Sequence, residues 1–264
     1  MAKPHIEEIR KKLAEIENQL GVVRGKEIFE ILLTKYNFDT VLDIGSGPGK
    51  HAKIFESFGK NVFTCDMSEH WKPTYLGNFL SICEQIPDGM FDCVWCCHTL
   101  EHQMNVGTFL TQIKRVLKED GVLAITVPPM KHRIVPGHVS LWTGGLLLYN
   151  LVTVGFDCSK AIVRSPEKEK YIHSAVYHAD SIYPYDVSVI VEKKDICWSK
   201  EKILEISSGG WIDAEVHDGV LHLSGKGLKN LKPFFPKEIN WMQKGDASGG
   251  EGDLQFDGRV QNIG

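Results

Sequence analysis

Val41 to Ala52 reads VLDIGSGPGKHA: a short apolar run, an acid, then glycine at every second position. This stretch constrains the fold more than any other. A short apolar run ending in an acid reads as a buried strand. Gly45, Gly47 and Gly49 mark a turn whose backbone needs conformations that side chains disfavour. The residues from Lys50 to Phe58 then follow a helical period, and Gly59 stops them. A strand, a glycine turn and a helix in succession form the opening half of a βαβ unit. The pattern repeats downstream. Apolar runs at 62–65, 75–76, 91–97 and 122–127 read as strands, and 106–117 reads as a helix. Runs at 158–163 and 187–191 bring the strands to seven. Alternation of this kind predicts an α/β protein with a doubly wound, mostly parallel sheet.

Three segments follow from the change of pattern along the chain. Residues 1–37 form an N-terminal helical cap, with helices over 5–20 and 24–36 expected to cover an edge or mouth of the sheet. Residues 38–194 form the sheet domain, with a polar insertion at 164–183. Residues 195–264 form a C-terminal appendage: a helix over 198–208, a hairpin over 211–225 turning at Asp218-Gly219, and a glycine- and acid-rich tail. The N-terminal helix is charged and unlike a secretory leader. The apolar stretch 146–154 is too short to span a bilayer. A soluble, cytoplasmic protein is expected. The seven cysteines fit reduced, buried thiols. In the run CVWCCH, strand geometry puts Cys93 and Cys97 on one face and Cys96 on the other, so no metal site is expected there.

The glycine turn lies where doubly wound sheets bind ligands, beyond the carboxyl ends of the strands. Its spacing is not that of the dinucleotide fingerprint, since the third glycine comes one residue early. No Walker lysine follows. Asp43, two residues before the first glycine, would repel a pyrophosphate and attract a cation. Asp66, closing the next strand, stands where an acid accepts ribose hydroxyls.

At these residues the chain resembles the class I S-adenosylmethionine-dependent methyltransferases. VLDIGSGPGKHA is similar to the family's first motif, FTCDMS to its second, FDCVWCCHTLEH to its fourth strand and LKEDGVLAITVPP to its fifth. The resemblance covers about 38–160 and implies a Rossmann-like fold with S-adenosylmethionine as cofactor and S-adenosylhomocysteine as product. It implies that Asp43 and the Gly45-Ser46-Gly47 backbone hold the methionine part, and that Asp66 holds the ribose. Met67 would lie against the adenine. Asn78 and Phe79 stand where the family often carries an acid-containing pair for the adenine amino group. Cys97 and His98 would lie beside the cofactor.

Transfer of a methyl group to a hydroxyl wants a general base. His98, His102 and His138 are alternatives for that role, and the sequence does not choose among them. Each is also suited to bracing a loop. Lys131, His132 and Arg133, after the fifth strand, stand on the acceptor side and suit an anion. The net charge of -4 offers no basic excess for duplex nucleic acid. The Asn/Asp-Pro-Pro-aromatic motif for a flipped base is replaced by Val127-Pro128-Pro129-Met130. GHVSLWTGGLLLYNLVTVGFDC resembles small-molecule methyltransferases of bacterial surface-polysaccharide clusters. That resemblance implies O-methylation of a sugar, a nucleotide sugar, or a phosphate- or phosphoramidate-type capsule precursor. Expected partners are therefore a small-molecule or glycan-precursor acceptor, with a homodimer left open. Two other classes stay open: a nicotinamide-dependent oxidoreductase and a non-catalytic, methyltransferase-like binding subunit.

Overall fold

A computed structural model describes residues 4–21, 23–128, 135–164, 186–194, 196, 213–217, 220–224 and 234–235. Two helices, α1 (Ile6–Leu20) and α2 (Lys26–Lys35), precede strand β1 (Thr40–Ile44). Helix α3 (Lys50–Ser57), strands β2 (Asn61–Asp66) and β3 (Tyr75–Leu76), the short helix α4 (Phe79–Ile82) and strand β4 (Phe91–Cys97) follow. Helix α5 (Val106–Val116) leads directly into strand β5 (Leu117–Val127), and then come α6 (Gly144–Thr153), β6 (Ile162–Arg164) and β7 (Val187–Glu192).

The seven strands form one sheet in the order β3-β2-β1-β4-β5-β7-β6. Six strands run in one direction, with β1–β5 paired in parallel, and β7 runs antiparallel to both β5 and β6. The doubly wound α/β fold is as the alternation predicts. The chain leaves β1 toward β2 and β3, then returns to place β4 on the other side of β1. A crevice opens at such a reversal, past the strand ends.

Each strand feeds two apolar layers, because side chains alternate between faces. Leu42, Ile44, Val94, Cys96, Leu123 and Ile125 point to the layer shared with Phe109, Leu110, Ile113 and the buried residues of α6. Val41, Cys93, Trp95 and Ala124 point to the layer shared with Ile9, Leu13, Ile28, Phe29, Leu32, Ile54 and Phe55. Helix α2 is therefore part of a sheet face, a correction to its expected place at an edge or mouth. Its apolar stripe of Ile28, Phe29, Leu32 and Leu33 is fully buried, which only a flat partner surface can achieve.

The strand alternation also settles the cysteine run. Cys93 and Cys97 face the α2 side and Cys96 faces the other. The six cysteines of the described residues are free thiols. Burial raises the pKa of each of Cys93, Cys96 and Cys97, so they stay protonated.

Two elements differ from expectation. The expected strand at 158–163 is a 3₁₀ turn over Cys158–Lys160 followed by β6, because the Asp157 side chain accepts the Ser159 N–H and caps the turn. The fifth strand begins at Leu117 rather than Val122. Its register on β4 slips between Phe91 and Cys93, which pair with Leu117 and Val122, so Asp120-Gly121 sits in a bulge. In the appendage, β8 (Asp213–His217) and β9 (Val220–Ser224) form an antiparallel two-stranded sheet, the arms of the expected hairpin. The 218–219 turn, the 198–208 helix, the 164–183 insertion except Arg164, and the glycine-rich tail fall outside the described residues. Among the described residues no helix is long and apolar enough to cross a membrane.

Candidate functional site

The carboxyl ends of β1, β2 and β4 frame an open cleft of about 630 Å³. Gly45, Asp66, Met67, Asn78, Phe79 and His98 line it, together with Ile44, Cys65, Gly77, Thr99, His102 and Gln103. Six of the ten expected cofactor residues thus meet at one surface. Asp43, Ser46, Gly47 and Cys97 do not line it.

The turn after β1 explains its glycines. Gly45 has φ 75°, and a Cβ there would overlap the Thr99 hydroxyl oxygen. That hydroxyl donates to the Ile44 carbonyl at 3.0 Å, and the Gly45 and Ser46 N–H groups donate to the Cys65 carbonyl at 2.8 and 3.2 Å. The turn is stitched to both neighbouring strands. Gly47, at φ 50°, has no atom within 4 Å of the place a Cβ would take, so its bare backbone borders open space. Its N–H donates to Asp66 Oδ2 at 2.8 Å, and the Ser68 N–H donates to Oδ1 at 2.8 Å. Both Asp66 oxygens are thereby aimed, and each retains a lone pair for a further donor. The Gly47 N–H serves Asp66 and contributes the open cradle, rather than a donor to a ligand.

Asp43 lies beneath the turn, 1% exposed. The Ala52 N–H in the first turn of α3 hydrogen-bonds to its carboxylate, but Oδ2 has no partner. Burial, and then the nearby negative charge of Asp66, raise its pKa from 3.8 to about 7. A buried carboxylate held so far from its ordinary state is a site that a cation would relieve.

Asn78 caps α4, its side-chain oxygen accepting the Leu80 N–H at 3.0 Å, and its amide nitrogen faces Met67 Sδ at 4.0 Å. The cap fixes the amide where the cleft needs it. Met67 is 72% exposed, an apolar side chain at the mouth with no protein partner of its own size. Cys97 turns to the opposite sheet face, half-buried.

His98 has φ 54°, rare for a residue with a side chain. Its N–H donates to the Thr126 carbonyl at 2.8 Å. Its ring is gripped from both sides: Nε2 is 2.9 Å from Asp186 Oδ1, and Nδ1 is 3.2 Å from Glu101 Oε1, close but off hydrogen-bond alignment. Burial alone would lower the imidazole pKa. The interactions with Asp186 and then Glu101 outweigh it and raise the pKa to about 9. His98 is therefore an imidazolium at neutral pH with no lone pair for an acceptor's proton. The same pairing lowers the pKa of Asp186 against the upward push of burial. Asp186 also accepts the Gly25 N–H at 3.3 Å, which ties α2 to the site. Asp186 is not among the residues expected from the sequence. Its signal there is faint: a lone acid directly before an apolar strand.

His102 stands on a 3₁₀ turn over Leu100–His102. Its Nδ1 donates to the Gly137 carbonyl at 2.8 Å, which leaves Nε2 as the lone-pair nitrogen of the neutral ring. His138 packs edge-on against it, with ring centroids 4.8 Å apart. His98 and His102 line the cleft with Glu101 between them, and His138 joins them through its ring contact with His102. Lys131, His132 and Arg133 lie outside the described residues.

The family model for a methyltransferase domain matches residues 42–125, which span β1 through most of β5. A S-adenosylmethionine-dependent methyltransferase structure from Archaeoglobus fulgidus is 17% identical, covering 70% of this chain and 94% of that one, with a TM-score of 0.48. The 1,6-didemethyltoxoflavin-N1-methyltransferase of Burkholderia thailandensis, solved with 1,6-didemethyltoxoflavin and S-adenosylhomocysteine, is 18% identical. It covers 71% of this chain and 78% of that one, with a TM-score of 0.45. No curated protein matches the chain.

Proposed function

We propose that this chain, which carries a methyltransferase domain over residues 42–125, transfers a methyl group from S-adenosylmethionine to an oxygen of a small anionic or glycan-linked acceptor. The domain match makes S-adenosylmethionine the cofactor. The observation that carries the reading is the pairing of a buried, half-partnered Asp43 with a ribose-ready Asp66 across the glycine turn.

The residues fit the cofactor on physical grounds. Its ammonium and sulfonium charges suit Asp43, whose Oδ2 has no partner. Its ribose hydroxyls suit the two aimed oxygens of Asp66, and its adenine suits Met67, Asn78 and Phe79. A nicotinamide dinucleotide fits worse. Its pyrophosphate wants the amide groups at a helix N-terminus. Here the Ala52 N–H of α3 already serves Asp43, and the acid would face the phosphates.

The cofactor supplies a methyl group on an activated sulfonium, so the protein's task is largely positioning. The His98 imidazolium, held by Asp186 and Glu101, braces the floor of the cleft. His102 Nε2 is the nitrogen available to an acceptor hydroxyl, with its tautomer set by Gly137. His138 stands beside it. Lys131, His132 and Arg133 would grip an anionic acceptor. The acceptor class, a sugar, nucleotide sugar or phosphate- or phosphoramidate-type capsule precursor, rests on sequence resemblance and on those three basic residues.

The test is incubation with methyl-labelled S-adenosylmethionine and a panel of nucleotide sugars, sugar phosphates and phosphoramidates. Label on an acceptor oxygen is expected. Label on nitrogen or carbon acceptors alone would overturn the oxygen assignment.

A further inference from the structure

Glu101 is the least satisfied side chain in the described residues. It is fully buried, and neither carboxylate oxygen has a hydrogen-bond partner. Its charge partner is the His98 ring, with Nδ1 3.2 Å from Oε1 and out of hydrogen-bond alignment, and a buried carboxylate with no aligned hydrogen bond is a candidate to coordinate a metal. Three ligand atoms, one each from Glu101, His102 and His138, lie within 4.8 Å of one another. We propose that these three residues bind a divalent transition-metal ion at the acceptor end of the cleft.

The Glu101–His102 pair is near the separation that a shared ion sets. His102 Nε2 is 3.9 Å from Glu101 Oε1, too far for a hydrogen bond. Two ligands of one tetrahedral ion with bonds of about 2.1 Å are separated by roughly 3.4 Å. A closure of a few tenths of an ångström brings the pair to that value. The tautomer is already correct: Nδ1 of His102 donates to the Gly137 carbonyl, which directs the Nε2 lone pair inward. Histidines that bind metals are oriented in this way through their second nitrogen.

The supports are rigid. The Glu101 carbonyl accepts the N–H groups of Val139 and Ser140 at 2.8 and 3.3 Å, which pins the segment that carries His138. Gly137, at φ 86°, passes so close to the His102 ring that a Cβ would sit 3.2 Å from Nδ1. The Glu101 oxygen nearest His102, Oε1, also lies 3.2 Å from His98 Nδ1, and His98 is held in turn by Asp186.

The donor set selects the ion. Two imidazoles and one carboxylate favour zinc, cobalt or nickel over magnesium, whose shell is all oxygen. Three protein ligands leave a position open, as in catalytic zinc sites. His102 lines the cleft, so the open position faces it. If the methyltransferase reading holds, the ion would bind the acceptor oxygen there and lower the pKa of its hydroxyl, whose proton passes to solvent. In that case His102 acts through the metal rather than as a free base. The binding site itself does not depend on that reading.

The experiment uses the full chain, stripped with a chelator and titrated with Co²⁺ alone. Saturation at one equivalent is expected, with the intense visible bands of a four- or five-coordinate ion and no thiolate charge-transfer band. Excess Zn²⁺ should bleach the spectrum. Glu101→Gln and His138→Ala should each weaken binding about 10–100-fold, with unchanged melting curves showing that the variants fold. No saturable spectrum would overturn the site, and so would equal affinity in wild type and both variants. Calorimetry with S-adenosylhomocysteine on the same samples separates the two claims. Cobalt binding without S-adenosylhomocysteine binding would sink the cofactor reading and keep the metal site. The reverse would sink only the metal site.

Discussion

The two ends of the cleft are built in opposite ways. The cofactor end comes from one short stretch of chain, the β1 strand, its glycine turn and the end of β2. Its groups are arranged by backbone: glycines that leave room, and N–H groups that aim Asp66. The acceptor end is built by side chains from distant segments. His98 meets Asp186 across 88 residues, and His102 meets Gly137 across 35. The first end needs glycine and one acid at fixed spacing, so it can be recognised locally. The second needs only that polar side chains meet, and the ends of strands β4 and β7 help to arrange the meeting. On the proposed reading, the first is a mould for a cofactor of fixed shape, while the second can change with the acceptor.

The comparison can be broken in several places. The largest effect should come from Asp43. Its folded pKa of about 7 lies above the ordinary 3.8, so the folded state holds a proton that the unfolded state releases. Stability without cofactor should therefore fall as pH rises from about 4 through 7, by up to about 4 kcal/mol. Asp43→Asn should remove that slope. Melting curves at pH 4 and pH 8 should show the variant gaining on the wild type at the higher pH, and parallel curves would mean that Asp43 is not strained.

At the acceptor end, Asp186→Ala leaves a buried imidazolium with only Glu101. A loss of about 3 kcal/mol is expected in urea unfolding, and a loss under about 1 kcal/mol would show that the clamp is not structural. Gly45→Ala places a methyl group on Thr99 at a left-handed φ, with an expected cost of about 2–3 kcal/mol. Adding Thr99→Ala should recover part of it, because the clash goes and the backbone strain stays. The smallest stability effect, and the sharpest binding effect, belongs to Asp66→Ala. The fold should survive, and S-adenosylhomocysteine affinity should drop by about 1.5–3 kcal/mol as charge-assisted bonds are lost. Unchanged affinity would remove Asp66 from the site.

These contrasts also account for what is legible in the sequence. The sheet, its seven strands and the Asp43–Asp66 pair follow from local period and spacing, which the chain writes in consecutive residues. Alternation along β4 correctly separates Cys93 and Cys97 from Cys96. The place of α2 is not legible, because an amphipathic stripe shows that a face is buried and not what buries it. Asp186 is hidden because its role arises only when antiparallel β7 comes beside β5 and brings the acid to His98. Glu101 is visible as a neighbour of two histidines. Its complete burial, which makes it a ligand candidate, is a tertiary property. The spacing between His102 and His138 gives no hint that a loop folds their rings together.

The central claim is that the glycine turn and its two acids hold S-adenosylmethionine. Its most direct test is calorimetric titration of the purified chain with S-adenosylhomocysteine, beside NADH under the same conditions. The account predicts saturable binding of S-adenosylhomocysteine at one site per chain and no heat of binding from NADH. Binding of NADH with none of S-adenosylhomocysteine would contradict it and return the turn to a dinucleotide.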